Sequence, residues 1–182
     1  NNVALILGDN FFYGQSLTEK LKDCAKLHSG AKVFLHPVNN PSLYGVAKIN
    51  KKHKILKIIE KPKKYISNLA ITGLYFFDNN VVKYSKSLKP SKRKETEIVD
   101  ILNNYRKKNK LSTEFIGRGG TWLDAGTFSD FYDATSFVST LENRQGLKIA
   151  CLEEIAFTNR WIDKKQIKCP DYDRPDMAVD VT

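Results

Sequence analysis

The chain has 182 residues, 41% hydrophobic and 27% charged, which is the composition of an ordinary globular protein long enough to bury a substantial core. No apolar run approaches the roughly 20 residues that span a bilayer, and the short run at 3–7 has no basic flank, so neither a membrane helix nor a signal peptide is predicted. The three cysteines form no CxxC pair, which argues against a zinc site or a disulfide framework and favours a reducing, cytoplasmic compartment.

The first part of the chain reads as a β-α-β unit. Residues 3–7 are a continuous aliphatic run, typical of a buried parallel strand. Residues 15–27 have apolar side chains at helical spacing, and 31–36 read as a second strand. This order predicts an α/β layer fold with a right-handed crossover.

The middle of the chain alternates short strands and helices. The segment "NKKHK" between two of the strands predicts a hairpin. A helix at 97–107 would place its apolar residues on one face, with Thr96 as its N-cap. Strands are predicted at 44–49, 55–59, 70–77 and 111–116, and a further short helix at 79–87.

The C-terminal part is predicted to be mainly helical. Thr127-x-x-Asp130 resembles a capping box, and the helix that it opens should end near Gly146. The side chains that this helix is expected to bury are Phe128, Phe131, Val138 and Leu141. Residues 1–168 are interpreted as one domain, and 169–182 as a poorly ordered tail, because that stretch is polar, contains proline and has no clear period.

Two aspartates follow short apolar runs that are far apart in the sequence. Asp9 comes directly after the run at 3–7, where Gly8 would let the backbone turn, and Asp124 lies in "GGTWLDAGT". Either aspartate could simply belong to a turn. Ligands in open α/β sheets bind at the carboxyl ends of strands, and carboxylates from two such ends can hold Mg²⁺. The pair is therefore a candidate metal site.

The segment "IIEKP" places a carboxylate beside an ammonium at a strand end. Pro62 stops the strand from continuing in the ladder, so Glu60 and Lys61 could both turn toward one ligand. A carboxylate accepts hydrogen bonds from hydroxyls and an ammonium binds phosphate, which suits a sugar phosphate. Arg93 could add a second phosphate contact. A solvated strand end and a surface-loop arginine are the alternatives.

Two glycines, Gly45 and Gly73, lie inside strand-like runs. Glycine at such a position marks the close approach of a ligand or of another backbone, or else a bulge. The formal net charge of +10 is concentrated in 51–65, "KKHKILKIIEKPKKY". This segment could bind nucleic acid, bind an anionic small molecule, or be a solvated lysine-rich surface.

In this order, the motifs "LGDN", "YGVA", "IIEKP", "ITGLYFFD", "KPSKRKETEIVD", "WLDAGT" and "ENRQGLKIACLEEIAF" closely resemble those of the glucose-1-phosphate thymidylyltransferases, a group of sugar nucleotidyltransferases. The resemblance runs from about residue 3 to 167. It implies a Rossmann-like nucleotidyltransferase fold with a mixed sheet and inserted sugar-binding strands. It places the strand at 3–7 in the centre of that sheet, with Asp9 at its open end.

The resemblance also implies an activity, which is the transfer of a thymidylyl group from dTTP to glucose 1-phosphate with release of pyrophosphate. Mg²⁺ would neutralise the developing charge. Asp9 and Asp124 become the catalytic, metal-binding residues, and the substrate-binding residues become Tyr44, Gly45, Glu60, Lys61, Ile71 and Arg93. A cytoplasmic homotetramer that binds neither nucleic acid nor membrane is expected.

The chain departs from the family pattern in three places, one of which is that its last dozen or so residues do not continue the family's C-terminal helix. No glycine-rich loop of the type G-x-G-T-R-L occurs, so we expect an N-terminally truncated fragment that is inactive alone. Lys94 stands where the family usually has glycine. Base specificity depends largely on the missing loop, so a pyrophosphorylase for another nucleotide or sugar is one alternative. A non-catalytic module that binds nucleic acid through its basic hairpin is another.

Overall fold

The computed structural model describes residues 2–91 and 94–167. The chain divides into two compact units after Gly126. Within the described part of the chain, the strands and three α-helices belong to the first unit, and two α-helices belong to the second. Among the described residues, no helix is long and apolar enough to cross a membrane. The predicted tail at 169–182 lies outside these residues.

Most predicted elements are confirmed with small shifts at their ends. The strands are β1 Val3–Ile6, β2 Asn10–Gly14, β3 Ala31–Pro37, β4 Gly45–Ile49, β5 Ile55–Glu60, β6 Leu69–Phe77, β7 Leu111–Phe115 and β8 Gly120–Asp124. The helices are α1 Leu17–Ala25, α2 Asn80–Lys86, α3 Ile98–Lys107, α4 Phe128–Gln145 and α5 Leu152–Thr158. The sequence reasoning did not predict β2 or α5.

The sheet is mixed, as expected. Its strand order is β5-β4-β6-β3-β7, and β1 also pairs with β6. Only the β3–β7 pair is parallel among the pairs in this sheet; the other neighbours are antiparallel. A separate two-stranded antiparallel ladder joins β2 to β8. This ladder brings together the beginning and the end of the first unit.

Apolar side chains on β3 point alternately into two buried clusters. Val33 belongs to the same cluster as Leu102 and Tyr105 of α3, whereas Phe34 belongs to a cluster with Trp122 of β8. Successive strand residues point to opposite faces, so the sheet carries a core on each side. Burial of each large side chain contributes about 2–3 kcal/mol, which is why α3 stays on its face of the sheet.

The interpretation of residues 3–7 as a buried, central, parallel strand was wrong. β1 runs antiparallel to β6, and Val3, Leu5 and Ile6 are 37%, 39% and 56% exposed. Among the described strands, β6 alone pairs with it. β3 is also antiparallel to β6, so β1 and β3 run in the same direction with β6 between them. An apolar run shows a preference for burial but not which neighbours are available.

Of the two N-caps predicted from the sequence, one is confirmed. The Thr127 hydroxyl accepts a hydrogen bond from the Asp130 backbone N–H at 3.2 Å, which confirms the predicted cap of α4. Gly146 ends that helix at φ 69°, in the left-handed region that favours glycine. The predicted N-cap at Thr96 was wrong, because α3 begins after Glu97.

The predicted buried face of α4 is only partly correct. Phe128 is 97% exposed and Phe131 is 62% exposed, whereas Val138 and Leu141 are half-buried. Helical spacing correctly predicted the helix, but the first turn presents its two phenylalanines to solvent.

Candidate active site

Antiparallel pairing between β2 and β8 places the two candidate metal ligands side by side. Asp9 lies in the turn between β1 and β2, and Asp124 is the last residue of β8. Asn10 is directly opposite Asp124 in the ladder, and the Ala125 N–H donates to the Asp9 carbonyl at 2.7 Å. The backbone itself therefore fixes the two aspartates next to each other.

The carboxylates converge on a space that Gly126 leaves open. A Cβ atom on Gly126 would lie 3.2 Å from Oδ1 of Asp124 and 3.6 Å from Oδ2 of Asp9. The Gly126 N–H also donates to Asp124 Oδ1 at 3.2 Å. Both oxygens thus lie within van der Waals distance of the same point beside Gly126. This is the arrangement expected if they share a cation or its water shell.

The donor set matches magnesium better than a metal held by protein alone. Within residues 2–91 and 94–167 no group of three or more His, Cys, Asp or Glu side chains could hold an ion. Mg²⁺ is commonly bound through one or two carboxylates, with waters and substrate phosphates completing its shell. The residues present fit this ion, and the metal assignment itself stays a prediction.

The predicted sugar-phosphate residues gather at the open end of the β4–β5 hairpin. Gly45 and Glu60 are paired across the ladder, and a Cβ on Gly45 would lie 2.9 Å from Glu60 Oε2. The Glu60 carboxylate thus lies directly over the glycine. A larger residue in place of Gly45 would displace it.

Lys61 shows that the strand stops where the sequence predicted. β5 ends at Glu60, and Lys61 adopts φ 41°, in the left-handed region that residues other than glycine rarely enter. The Lys61 N–H donates to the Tyr44 carbonyl at 3.0 Å. The turn breaks the alternation of the strand, so Glu60 and Lys61 are no longer restricted to opposite faces.

Ile71 and Tyr75 lie on β6, and both belong to the same buried apolar cluster. Burial, and then the charge of Glu60, raise the pKa of Tyr75 far above its ordinary value. The Tyr75 phenol therefore stays neutral at physiological pH.

An aromatic contact connects the hairpin to the acidic pair. The rings of Tyr44 and Trp122 meet edge to face, with centroids 5.0 Å apart. Trp122 Nε1 donates to Asn10 Oδ1 at 2.6 Å, and the Asn10 amide donates to Asp9 Oδ1 at 2.8 Å. Two side chains, those of Trp122 and Asn10, thus join a predicted sugar-binding residue to a predicted metal ligand.

The sequence reasoning did not single out Asn10 or Trp122. Both lie in quoted motifs, "LGDN" and "WLDAGT", but neither residue type has a specific spacing signal. Arg93 lies outside the described residues. Lys94, the predicted departure from glycine, adopts φ 62°, a conformation in which glycine would be less strained.

Comparison with known proteins gives the family. The sequence model described as "Nucleotidyl transferase" matches residues 1–140. The chain belongs to the nucleotidyl transferase family.

Curated relatives of this nucleotidyl transferase share a more specific name. Glucose-1-phosphate thymidylyltransferase from Neisseria meningitidis is 47% identical over 168 residues, which is 92% of this chain and 58% of the relative. The protein of that name from Mycobacterium tuberculosis is 44% identical over 167 residues, again 92% of this chain and 58% of the relative. The chain thus spans little more than half the length of these relatives.

Solved structures confirm the expected nucleotidyltransferase fold. One, described as a glucose-1-phosphate thymidylyltransferase from Bacillus anthracis in complex with a sucrose, matches with a TM-score of 0.67 and 39% identity, covering 75% of this chain and 54% of its own. An apo UDP-glucose pyrophosphorylase matches with a TM-score of 0.66, covering 79% of this chain and 55% of its own. At 22% identity, the second likeness is one of fold alone.

Proposed function

We propose that this chain acts in the transfer of a thymidylyl group from dTTP to glucose 1-phosphate, which gives dTDP-glucose and pyrophosphate. The observation that carries the proposal is the convergence of the Asp9 and Asp124 carboxylates on the space beside Gly126. The names of the relatives supply the substrates. The basic hairpin alone does not favour the alternative of a nucleic-acid-binding module.

In the proposed reaction, a phosphate oxygen of glucose 1-phosphate attacks the α-phosphorus of dTTP. A new P–O bond forms there while the bond to the β-phosphate breaks, and pyrophosphate leaves. Asp9 and Asp124 would hold Mg²⁺. When bound, this ion supplies positive charge that offsets the negative charge developing on the phosphates.

The hairpin end would bind and orient the sugar phosphate. The Glu60 carboxylate would accept hydrogen bonds from glucose hydroxyls, and the Lys61 ammonium would bind the phosphate as a point charge. Gly45 supports this role because its missing side chain leaves room for the Glu60 carboxylate. Tyr44 and the backbone near Ile71 would line the sugar pocket, and Arg93 would add a second phosphate contact.

The resemblance extends the proposal to cellular context. We predict from it a cytoplasmic homotetramer that supplies nucleotide sugars to the dTDP-rhamnose pathway of surface polysaccharide synthesis. Mg²⁺ as the ion is predicted on the same basis.

Calorimetric titration of the 182-residue chain with glucose 1-phosphate tests the substrate assignment. Lys61→Ala should weaken binding about tenfold, the equivalent of one charge-assisted hydrogen bond. Glu60→Ala should instead reduce the preference for glucose 1-phosphate over galactose 1-phosphate. Lys57→Ala is the matched control, because Lys57 is an exposed lysine on the same strand.

Unchanged affinity in Lys61→Ala would refute the phosphate role. Absence of saturable glucose 1-phosphate binding, together with DNA affinity that falls steeply with salt, would favour the nucleic-acid-binding alternative.

A further inference from the structure

Asn10 connects the acidic pair to the sheet behind it. Its side-chain oxygen accepts two hydrogen bonds, from the Gly73 N–H at 2.9 Å and from Trp122 Nε1 at 2.6 Å. Its side-chain nitrogen donates to Asp9 Oδ1 at 2.8 Å. One amide therefore contacts β6, β8 and the turn that carries Asp9.

These contacts fix which way the amide faces. A backbone N–H and an indole N–H can only donate, so the atom between them must be the Asn10 oxygen. The nitrogen is then directed at Asp9, and a flipped amide would place N–H groups against two donors. The donation to Asp9 is thus a consequence of the two bonds behind it.

Gly73 provides the space that this arrangement needs. A Cβ on Gly73 would lie 2.5 Å from Asn10 Oδ1 and 2.6 Å from its Cγ, closer than real Cβ contacts allow. The register between β3 and β6 also shifts beside this position. Gly73 was predicted to mark a close approach, and the group that approaches it is the side chain of Asn10.

The Asp9 carboxylate is consequently used in two directions. Oδ1 is held by the Asn10 amide, while Oδ2 lies 3.6 Å from the position that a Cβ on Gly126 would take, on the side where Asp124 also points. Without the amide, the Asp9 side chain, which lies in an exposed turn, could rotate away from Asp124.

We propose that Asn10 is a positioning residue that holds Asp9 in the orientation needed to share a divalent cation with Asp124, with Trp122 and Gly73 fixing Asn10 in turn. The proposal rests on the metal site of the proposed function. Groups that orient metal ligands commonly change metal affinity by about 10–100-fold when they are removed.

The test is the affinity of the 182-residue chain for Mn²⁺ alone, measured by electron paramagnetic resonance of the free ion. Asn10→Ala should weaken Mn²⁺ binding about tenfold. Trp122→Phe retains a ring against Tyr44 but removes one of the two donors to Asn10, and should weaken binding about threefold, the equivalent of one weak hydrogen bond.

Asn103→Ala is the matched control. Asn103 is a partly buried asparagine on α3 whose side-chain oxygen accepts from Arg106 Nε at 2.9 Å, and its loss should leave the Mn²⁺ affinity unchanged. Thermal melting of each variant separates positioning from stability, since a purely structural role would lower the melting temperature without changing the affinity of the folded protein.

Wild-type Mn²⁺ affinity in folded Asn10→Ala would overturn the inference. If that variant fails to fold, Trp122→Phe decides, and wild-type affinity there would equally overturn it. Asp9→Asn and Asp124→Asn should both lose Mn²⁺ binding. If they also bind Mn²⁺ normally, the proposed metal site itself is wrong, whereas if only Asn10→Ala binds normally, the positioning role alone fails.

Discussion

Two regions of the first unit are built around aspartates and use the carboxylate in opposite ways. Asp78 follows β6 and is only 5% exposed, whereas Asp9 lies in an exposed turn and its carboxylate converges with that of Asp124. Hydrogen-bond donors surround the Asp78 carboxylate, whereas the carboxylates of Asp9 and Asp124 face a common space. A carboxylate saturated by protein donors stabilises the fold, whereas a pair with converging oxygens is the arrangement that we predict to bind a cation.

Hydrogen bonds saturate both oxygens of Asp78. Oδ2 accepts from the Gly30 N–H at 2.7 Å and from the Asn80 amide at 3.1 Å. Oδ1 accepts from the Tyr105 hydroxyl at 2.7 Å and from the Asn80 N–H at 3.0 Å. One side chain thereby ties together the start of β3, the start of α2 and the buried face of α3.

These donors also control protonation. Burial alone would raise the pKa of Asp78, but the hydrogen bonds from Gly30, Tyr105 and Asn80 together hold it below its ordinary value. Burial, and then the Asp78 carboxylate, raise the pKa of Tyr105 far above its ordinary value. The carboxylate is therefore charged and the phenol neutral across the physiological range.

The largest expected effect is a loss of activity when one of the two converging aspartates, Asp9 and Asp124, is changed. In the catalytically competent protein, Asp124→Asn should lower kcat about 10³-fold, because a cation held there acts on charge that develops in the transition state. Glucose 1-phosphate binding should change little. The measurement is steady-state pyrophosphate release beside sugar-phosphate titration, with the free energy of unfolding followed by urea. A stability loss as large as the activity loss would remove the distinction between the two regions.

A smaller effect, on stability and not on activity, is expected at the buried carboxylate of Asp78. Asp78→Asn should lower the free energy of unfolding by about 2–3 kcal/mol, because either orientation of the new amide turns its NH₂ group toward a backbone N–H, that of Gly30 or that of Asn80. Mn²⁺ affinity should be unchanged. Asp23→Asn, at an exposed aspartate on α1, is the control and should leave the urea midpoint where it is. Weakened Mn²⁺ binding in Asp78→Asn would show that the two regions are coupled.

The smallest effect is a pH dependence carried by one hydroxyl. Because the folded pKa of Asp78 is depressed, its contribution is complete above the unfolded value of about 3.9 and is lost as pH falls through the folded value. Tyr105→Phe removes one donor and should cost about 1.5 kcal/mol at pH 6. Urea unfolding at a series of pH values below 6 measures this cost, which should shrink once the pH falls through the folded pKa of Asp78. A constant cost would mean that the hydroxyl does not act through the carboxylate charge.

The elements of the sheet could be predicted from the sequence because their signals are local. The hairpin at "NKKHK", the strand at 70–77 and the cap at Thr127 each depend on neighbouring residues. The direction and burial of β1 could not be predicted from the sequence, because they depend on which strand pairs with it. The exposed Phe128 shows the same limit, because helical spacing predicts a helix and its apolar face but not whether anything packs against that face.

The sequence predicted which residues belong to the candidate site better than it predicted how the fold brings them together. Asp9, Asp124, Glu60 and Lys61 were identified from motifs, and the structure brings the first two together across a ladder that the sequence did not predict. Asn10 was not predicted, because its role comes from partners on two strands and in one turn that are brought together only by the fold. Amide geometry of this kind leaves no periodicity in the sequence.

The β2–β8 ladder has a consequence for how the protein reaches its native state. It joins residues from the two ends of the first unit, and the Asn10–Trp122 bond spans 112 positions. Closing so long a loop costs chain entropy before any contact offsets it, whereas the β4–β5 hairpin forms from near neighbours. A two-stranded ladder is also marginally stable by itself. We therefore expect the acidic pair to assemble late in folding and to separate early in partial unfolding, so that the candidate site opens while the larger sheet remains intact.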